Sequence, residues 1–195
     1  SSNAVFSIST SSTQPKVVLS YPSANGIYLG VGQQISVSWT RQNVSIVGLD
    51  LSTDDGNTWN QIATGINANS YMWTVSDYPG SLCRLRVRSI ANDQVLDISD
   101  NAFSISRIEL LSPNGGELIT SDYSGQSVFP ITWSSANMGN VKIEYSTNGG
   151  SNWETVNASI PAGSGSYNWA VPGVPTTSAK IRISNVDNNS IADVS

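Results

Sequence analysis

The sequence predicts an all-β protein built as two antiparallel β-sandwiches in tandem. Three observations carry this reading. The six tryptophans form two sets, Trp39, Trp59, Trp73 and Trp133, Trp153, Trp169, related by offsets of 94, 94 and 96 residues. Apolar and polar residues alternate with period two in short segments, and no stretch keeps the 3.6-residue period of an amphipathic helix. Turn residues punctuate these segments at roughly 8–12-residue spacing. A repeat of this length marks duplicated domains rather than one large fold.

The elements follow in order. Lys16 to Leu19 opens a strand that ends before Tyr21-Pro22, and Asn25-Gly26 supplies a turn. The next strand places Ile35, Val37 and Trp39 on one face and Ser36, Ser38 and Thr40 on the other; Phe129, Ile131 and Trp133 repeat the inner set. Such alternation is what a half-buried antiparallel strand requires. A third strand turns Val47, Leu49 and Leu51 inward, matched by Val141, Ile143 and Tyr145, and enters a hairpin at Asp54-Asp55-Gly56-Asn57. Further strands start near Trp59 and at Tyr71 to Val75. The sixth has Cys83, Leu85 and Val87 inward and Arg84, Arg86 and Arg88 outward, with Ala179, Ile181, Ile183 and Lys180, Arg182 as counterparts. A last strand ends at Ala102 to Ile105. Seven strands in about 90 residues fit a sandwich of immunoglobulin or fibronectin III type. With a single cysteine no disulfide can form within the chain, so the repeated tryptophans are expected to anchor the cores.

The ends of the repeats do not match. The second stops at Ser195, where the first continues through Asp100 to Ile105, and Val5-Phe6-Ser7-Ile8-Ser9 resembles Ala102-Phe103-Ser104-Ile105-Ser106. The expected organisation is therefore residues 1–15 as a leftover strand of a preceding repeat plus linker, 16–105 as the first sandwich, and 106–195 as the second without its last strand. The junction at Ser106-Arg107 holds no Gly or Pro and leaves little slack. Residues 5–9 of one molecule are expected to fill the open edge of another, head to tail.

Composition narrows the function. Charged residues are 12%, about half the ~25% usual in soluble domains. A net charge of -5 argues against nucleic acid, which needs clustered Lys and Arg. No run of ~18 apolar residues could span a membrane. Histidine is absent, which removes the commonest general base and metal ligand.

The motifs read as structure. Ser52-Thr53-Asp54-Asp55-Gly56-Asn57-Thr58-Trp59 fits the Asp-box pattern of sialidases, and Ser146 to Trp153 is a degraded copy. Two boxes 94 residues apart cannot build propeller blades of ~40–50 residues. Asp50, Asp54, Asp55 and Asn57 suggest a calcium loop, but the second repeat offers Asn148-Gly149-Gly150 there. Arg84, Arg86 and Arg88 could bind an anionic polysaccharide. The alternative is cross-strand pairing with Asp50, repeated by Lys180 and Arg182 beside Glu144, as exposed pairs contributing ~0–1 kcal/mol each. No residue is nominated as catalytic, cofactor-binding or metal-ligating.

Leu111-Ser112-Pro113-Asn114-Gly115-Gly116-Glu117, Ile131-Thr132-Trp133, Tyr145-Ser146-Thr147-Asn148-Gly149-Gly150, Tyr167-Asn168-Trp169 and Asp193-Val194-Ser195 resemble the Kre9/Knh1-type immunoglobulin-like repeat. The first repeat loosens the Pro-Asn-Gly-Gly-Glu phrase at Tyr21 to Gly26. The resemblance implies a sandwich from bacterial secreted or surface multidomain proteins, and no catalytic residues. The expected function is a non-catalytic structural or adhesive spacer, extracellular or at the cell surface. The alternative is a carbohydrate-binding accessory module of a polysaccharide-degrading enzyme, with exposed tyrosines such as Tyr28 or Tyr78 as contacts.

Overall fold

The computed structural model describes residues 14–121 and 127–195, so the expected strand at residues 5–9 lies outside the described residues. Along the chain come β1 (Lys16–Tyr21), β2 (Tyr28–Gly30), β3 (Gln34–Gln42), β4 (Val47–Ser52), β5 (Asn60–Ile66), β6 (Ser70–Thr74), β7 (Gly80–Ser89), β8 (Leu96–Ile98) and β9 (Phe103–Ser112). Then follow β10 (Val128–Ala136), β11 (Asn140–Ser146), β12 (Glu154–Pro161), a 3-10 turn at Ala162–Ser164, β13 (Ser166–Ala170), β14 (Lys180–Asn185) and β15 (Ala192–Val194).

Alternation explains the layers. In the first sandwich β1-β3-β6 form one sheet, and β5-β4-β7-β9 the other, with β8 beside β7 and β2 parallel to β9. Val37, Trp39 and Trp73 from the first sheet meet Leu49, Leu51, Leu85, Val87, Phe103 and Ile105 from the second. In the second sandwich β9-β10-β13 face β12-β11-β14-β15, and Leu110, Ile131, Trp133, Val141, Ile143, Trp169 and Ile183 fill the gap. Burying one such indole removes about 200 Å² from water, roughly 5 kcal/mol of transfer free energy. The duplication extends to small features. Tyr21-Pro22 and Ser112-Pro113 are both cis, Leu19 N–H donates to Asp97 Oδ2 at 2.7 Å, and Leu110 N–H to Asp193 Oδ2 at 2.8 Å.

Three expectations need correction. The junction is not a linker between strands: β9 runs unbroken through Ser106 and Arg107, closing the first sandwich with its first half and opening the second with the rest. Only four tryptophans anchor cores, Trp39, Trp73, Trp133 and Trp169. Trp59 and Trp153 are half-buried on the outer face, because each follows a tight turn and packs against an arginine there. Finally, Ala179 is exposed although its counterpart Cys83 is fully buried. Cys83 lies opposite Phe103 of β9, and among the described residues no strand stands at that position beside Ala179.

Candidate functional site

The outer faces of the two sandwiches hold a carboxylate each, gripped by two cations. Both come from the neighbouring strand in the first sandwich; in the second, one comes from the neighbouring strand and one from the carboxylate's own strand. Register sets Asp50 of β4 opposite Arg86 of β7. Arg86 Nη2 and Arg88 Nε donate to Asp50 Oδ2 at 2.8 and 2.9 Å, and Arg88 Nη1 reaches Asp93 at 3.0 Å. Asp50 hydrogen bonding raises the Arg88 pKa further above its ordinary value, against the opposing effect of burial. The Arg86 guanidinium lies 4.4 Å over the Trp59 ring, a cation–π contact. Arg84 pairs with Asp55 and donates to Ser99 O. The basic stripe is therefore consumed by pairing. The two Asp50 pairs are not exposed ones, however: Asp50 is only 2% exposed, because two arginines lie across it.

The second sandwich repeats the device with altered residues. Arg182 donates to Glu144 Oε2 at 2.7 Å and stacks 4.4 Å over Trp153. The second cation is Lys142, at 2.6 Å from Oε1, and not the expected Lys180, whose ammonium donates to Ser195 O. Lys180 sits opposite Ser146 in register, one pair beyond reach of Glu144 on that face. Burial acts to raise the Glu144 pKa, but hydrogen bonds from Lys142 and Arg182 outweigh it and leave the carboxyl below its usual value.

The Asp-box turn is closed on its own hydrogen bonds. Thr58 donates its hydroxyl to Asp54 Oδ2 at 2.6 Å and its N–H to Oδ1 at 2.8 Å, and Ser52 donates its hydroxyl to Oδ1 at 2.7 Å. Those donors, led by the Thr58 hydroxyl, hold the Asp54 carboxyl at about 2. Gly56, at φ +93°, donates its N–H to Ser52 Oγ, and the Trp59 ring lies 3.4 Å from where a Cβ on it would sit. Ser146, Asn148 and Gly150 reproduce these bonds apart from the one given by the Thr58 hydroxyl, which Asn152 lacks, and the amide oxygen of Asn148 accepts from Asn152 N–H at 2.9 Å. The turn thus closes with Asn148 in place of Asp54, so its closure does not require a carboxylate.

The sandwiches also touch across β9. Ser106 Oγ donates to Asn137 O at 2.6 Å, Asn137 Nδ2 to Ile105 O at 2.8 Å, and Asn188 Nδ2 to Tyr28 O at 3.0 Å. Gly30 allows Ile191 to come within 3.4 Å of where a Cβ would sit. Cys83 Sγ–H donates to Gly80 O, and burial pushes the thiol up to about 11. Tyr28 and Tyr78 are exposed as expected, but on separate features: Tyr28 belongs to β2 beside Ser104, Tyr78 to a depression with Tyr71 and Trp73.

A further concavity among the described residues lies at the end of the second sandwich away from β9's first half. It is a groove of about 400 Å³ lined by Leu118, Tyr145, Trp169, Val171, Val174 and Ile181. Sequence reasoning placed an open edge here but did not foresee the apolar groove, because Leu118 and Val174 fall outside the alternating strands.

Fold and contacts together define a tandem β-sandwich module of immunoglobulin or fibronectin III type. No family model matches the chain, so the Kre9/Knh1-type assignment stands as a resemblance, and no curated protein matches it either. Among solved structures it is similar to a chain from the fibronectin(III)-like modules of Clostridium thermocellum CbhA. Identity is 16% with a TM-score of 0.34, over 91% of this chain and 90% of that one.

Proposed function

We propose that the chain is a non-catalytic spacer that holds neighbouring parts of an extracellular or cell-surface multidomain protein at a fixed separation. The observation that carries this reading is the unbroken β9. A strand whose two halves belong to different sheets ties their orientations together, and the Ser106–Asn137, Ile105–Asn137 and Tyr28–Asn188 hydrogen bonds brace the joint. The charged clusters support it too, since the arginines and carboxylates of the outer faces are engaged with one another. No helix among the described residues is long and apolar enough to cross a membrane.

Solution scattering at low protein concentration tests the proposal, with NMR alignment measurements on each sandwich. One alignment tensor shared by both sandwiches, and an elongated particle, are expected. Independent tensors would overturn the spacer reading. A polysaccharide array should show no binding; binding lost on replacing Tyr28 or Tyr78 with Ala would establish the sugar-binding accessory role instead.

A further inference from the structure

We propose that Asn25 is a self-modification site, where the backbone nitrogen of Gly26 attacks the Asn25 side-chain amide and converts it to aspartate and isoaspartate. The chain holds three Asn-Gly pairs: Asn25-Gly26, Asn114-Gly115 and Asn148-Gly149. A glycine in second place has no Cβ to obstruct closure of a ring onto the asparagine. All three asparagines are exposed, and a Cβ added at any of the three glycines would meet nothing within 4 Å. Room therefore does not distinguish them. The state of the attacking nitrogen does.

To attack, the glycine N–H must give up its proton and turn its lone pair toward the asparagine Cγ. Gly115 N–H donates to Glu117 Oε2 at 2.8 Å, and Asn114 N–H donates to Oε1 at 2.7 Å. Loss of the Gly115 proton would set a negative nitrogen against a carboxylate, which like-charge repulsion disfavours. Gly149 N–H donates to Ser178 O at 2.9 Å, and the Asn148 amide oxygen accepts from Ser146 Oγ and Asn152 N–H. Both reacting groups are thereby fixed in that turn. Among the described residues no acceptor is paired with the Gly26 N–H and no partner with the Asn25 amide. The Pro-Asn-Gly-Gly-Glu phrase supplies its own guard in Glu117, whereas Ser23-Ala24-Asn25-Gly26-Ile27 contains no acid to supply one.

The step balances with water as the only co-reactant. The Gly26 nitrogen bonds to Asn25 Cγ, the Cγ–Nδ2 bond breaks, and the amide leaves as ammonia, taking the Gly26 proton with it. Water then opens the cyclic imide at either carbonyl. Opening at Cγ gives aspartate; opening at the α-carbonyl gives isoaspartate, with the side-chain methylene inserted into the main chain. Either product adds a negative charge to a chain already at -5. It forms beside Ser23, whose hydroxyl donates to Asp100 Oδ2 at 2.8 Å. Just beyond it, Ile27 O and Tyr28 O accept from Ser104 N–H and Asn188 Nδ2, each at 3.0 Å. Isoaspartate thus lengthens the connection between the Ser23 turn and the brace at the joint. The inference is independent of the spacer reading, because it holds whether or not the joint is rigid.

Incubation of the full chain in warm, mildly alkaline buffer made with heavy-oxygen water, followed by peptide mapping, tests it. Asn25 should take up the label about tenfold or more faster than Asn114 and Asn148, whose hydrogen bonds must break first. Its aspartyl and isoaspartyl peptides should separate by chromatography. Glu117 is exposed, so Glu117→Ala leaves the cores untouched. That variant should raise labelling at Asn114 toward the Asn25 rate and leave Asn25 unchanged. In concentrated urea the three sites should converge. An intact Asn25, or equal rates at the three sites of the folded chain, would overturn the proposal. So would a rate order that persists in urea, or an Asn114 rate indifferent to Glu117→Ala, because either detaches the reaction from these hydrogen bonds.

Discussion

Replacing Asp50 with Ala separates a buried ionic clamp from an ordinary surface pair. Asp50 Oδ2 accepts from both Arg86 and Arg88, and the carboxylate is 2% exposed. Removing one partner of a fully buried pair costs about 3–5 kcal/mol, because the charge left behind is stranded. Here the stranded groups are arginines that keep 22% and 21% of their side-chain surface in solvent, so part of their hydration returns. Arg88 also retains Asp93, and Arg86 retains the Trp59 ring. These compensations bring the expected loss to about 2–3 kcal/mol. Urea unfolding of the full chain at neutral pH measures it without adding ions. Repeating it in about 1 M salt, where the Debye length is ~3 Å, screens surface charge but not a covered one. A loss below ~1 kcal/mol, or one that disappears in high salt, would refute the argument and return the clamp to the class of exposed pairs. A cycle with Arg86→Ala should give a coupling of about 1–2 kcal/mol, since Arg88 still holds the Asp50 carboxylate in the Arg86→Ala variant.

Other tests use the duplication as an internal control. Trp133 Nε1 donates to Ala162 O at 2.8 Å, whereas Trp39 Nε1 is buried without a partner among the described residues. Trp133→Phe should therefore cost about 1 kcal/mol more than Trp39→Phe in denaturant unfolding, and equal costs would contradict the hydrogen-bond assignment. The Glu144 carboxyl titrates below its ordinary 4.5 in the folded state, so its contribution is complete above that value and lost as pH falls through the lowered one. Glu144→Gln should flatten the acid limb of the melting-temperature profile below pH ~4.5, and an unchanged limb would exclude this carboxylate as its source. Cys83 is fully buried with its thiol raised to about 11, so thiol reagents at neutral pH should react only as fast as the first sandwich opens. Modification at the rate of a free thiol would show that β9 does not cover it.

Periodicity made the layers legible and hid what covers them. Alternation put Asp50, Glu144 and the arginines on outer faces, where the structure has them. It could not show that Arg86 and Arg88 fold back over Asp50, since burial on an outer face depends on side-chain reach across strands. The same limit applies to Trp59 and Trp153: repetition marked them as structural, but not whether they faced the core or a guanidinium. β2 and β8, three residues each, were too short to register a period and owe their pairing to neighbours. The 3-10 turn that satisfies Trp133 has no sequence signal beyond Pro161 before it.

The unbroken β9 was in fact written in the sequence, as a change of phase. Phe103 and Ile105 are buried at odd positions and Leu110 at an even one, with Ser106 and Arg107 between. A phase slip usually marks a break, because shifting by one residue sends every side chain to the other face. Here the strand crosses from one core to another, and the slip is what lets a single strand serve both. The same logic explains the difference between β7 and β14. β7 begins at Gly80 and β14 at Lys180, although the repeat would start β14 at Thr176. The intervening residues are extended only where β9 gives them a partner. Hydrogen exchange across 177–179 should accordingly be faster than across 81–83 of β7, whereas equal protection at the two places would show that pairing with β9 is not what orders this stretch.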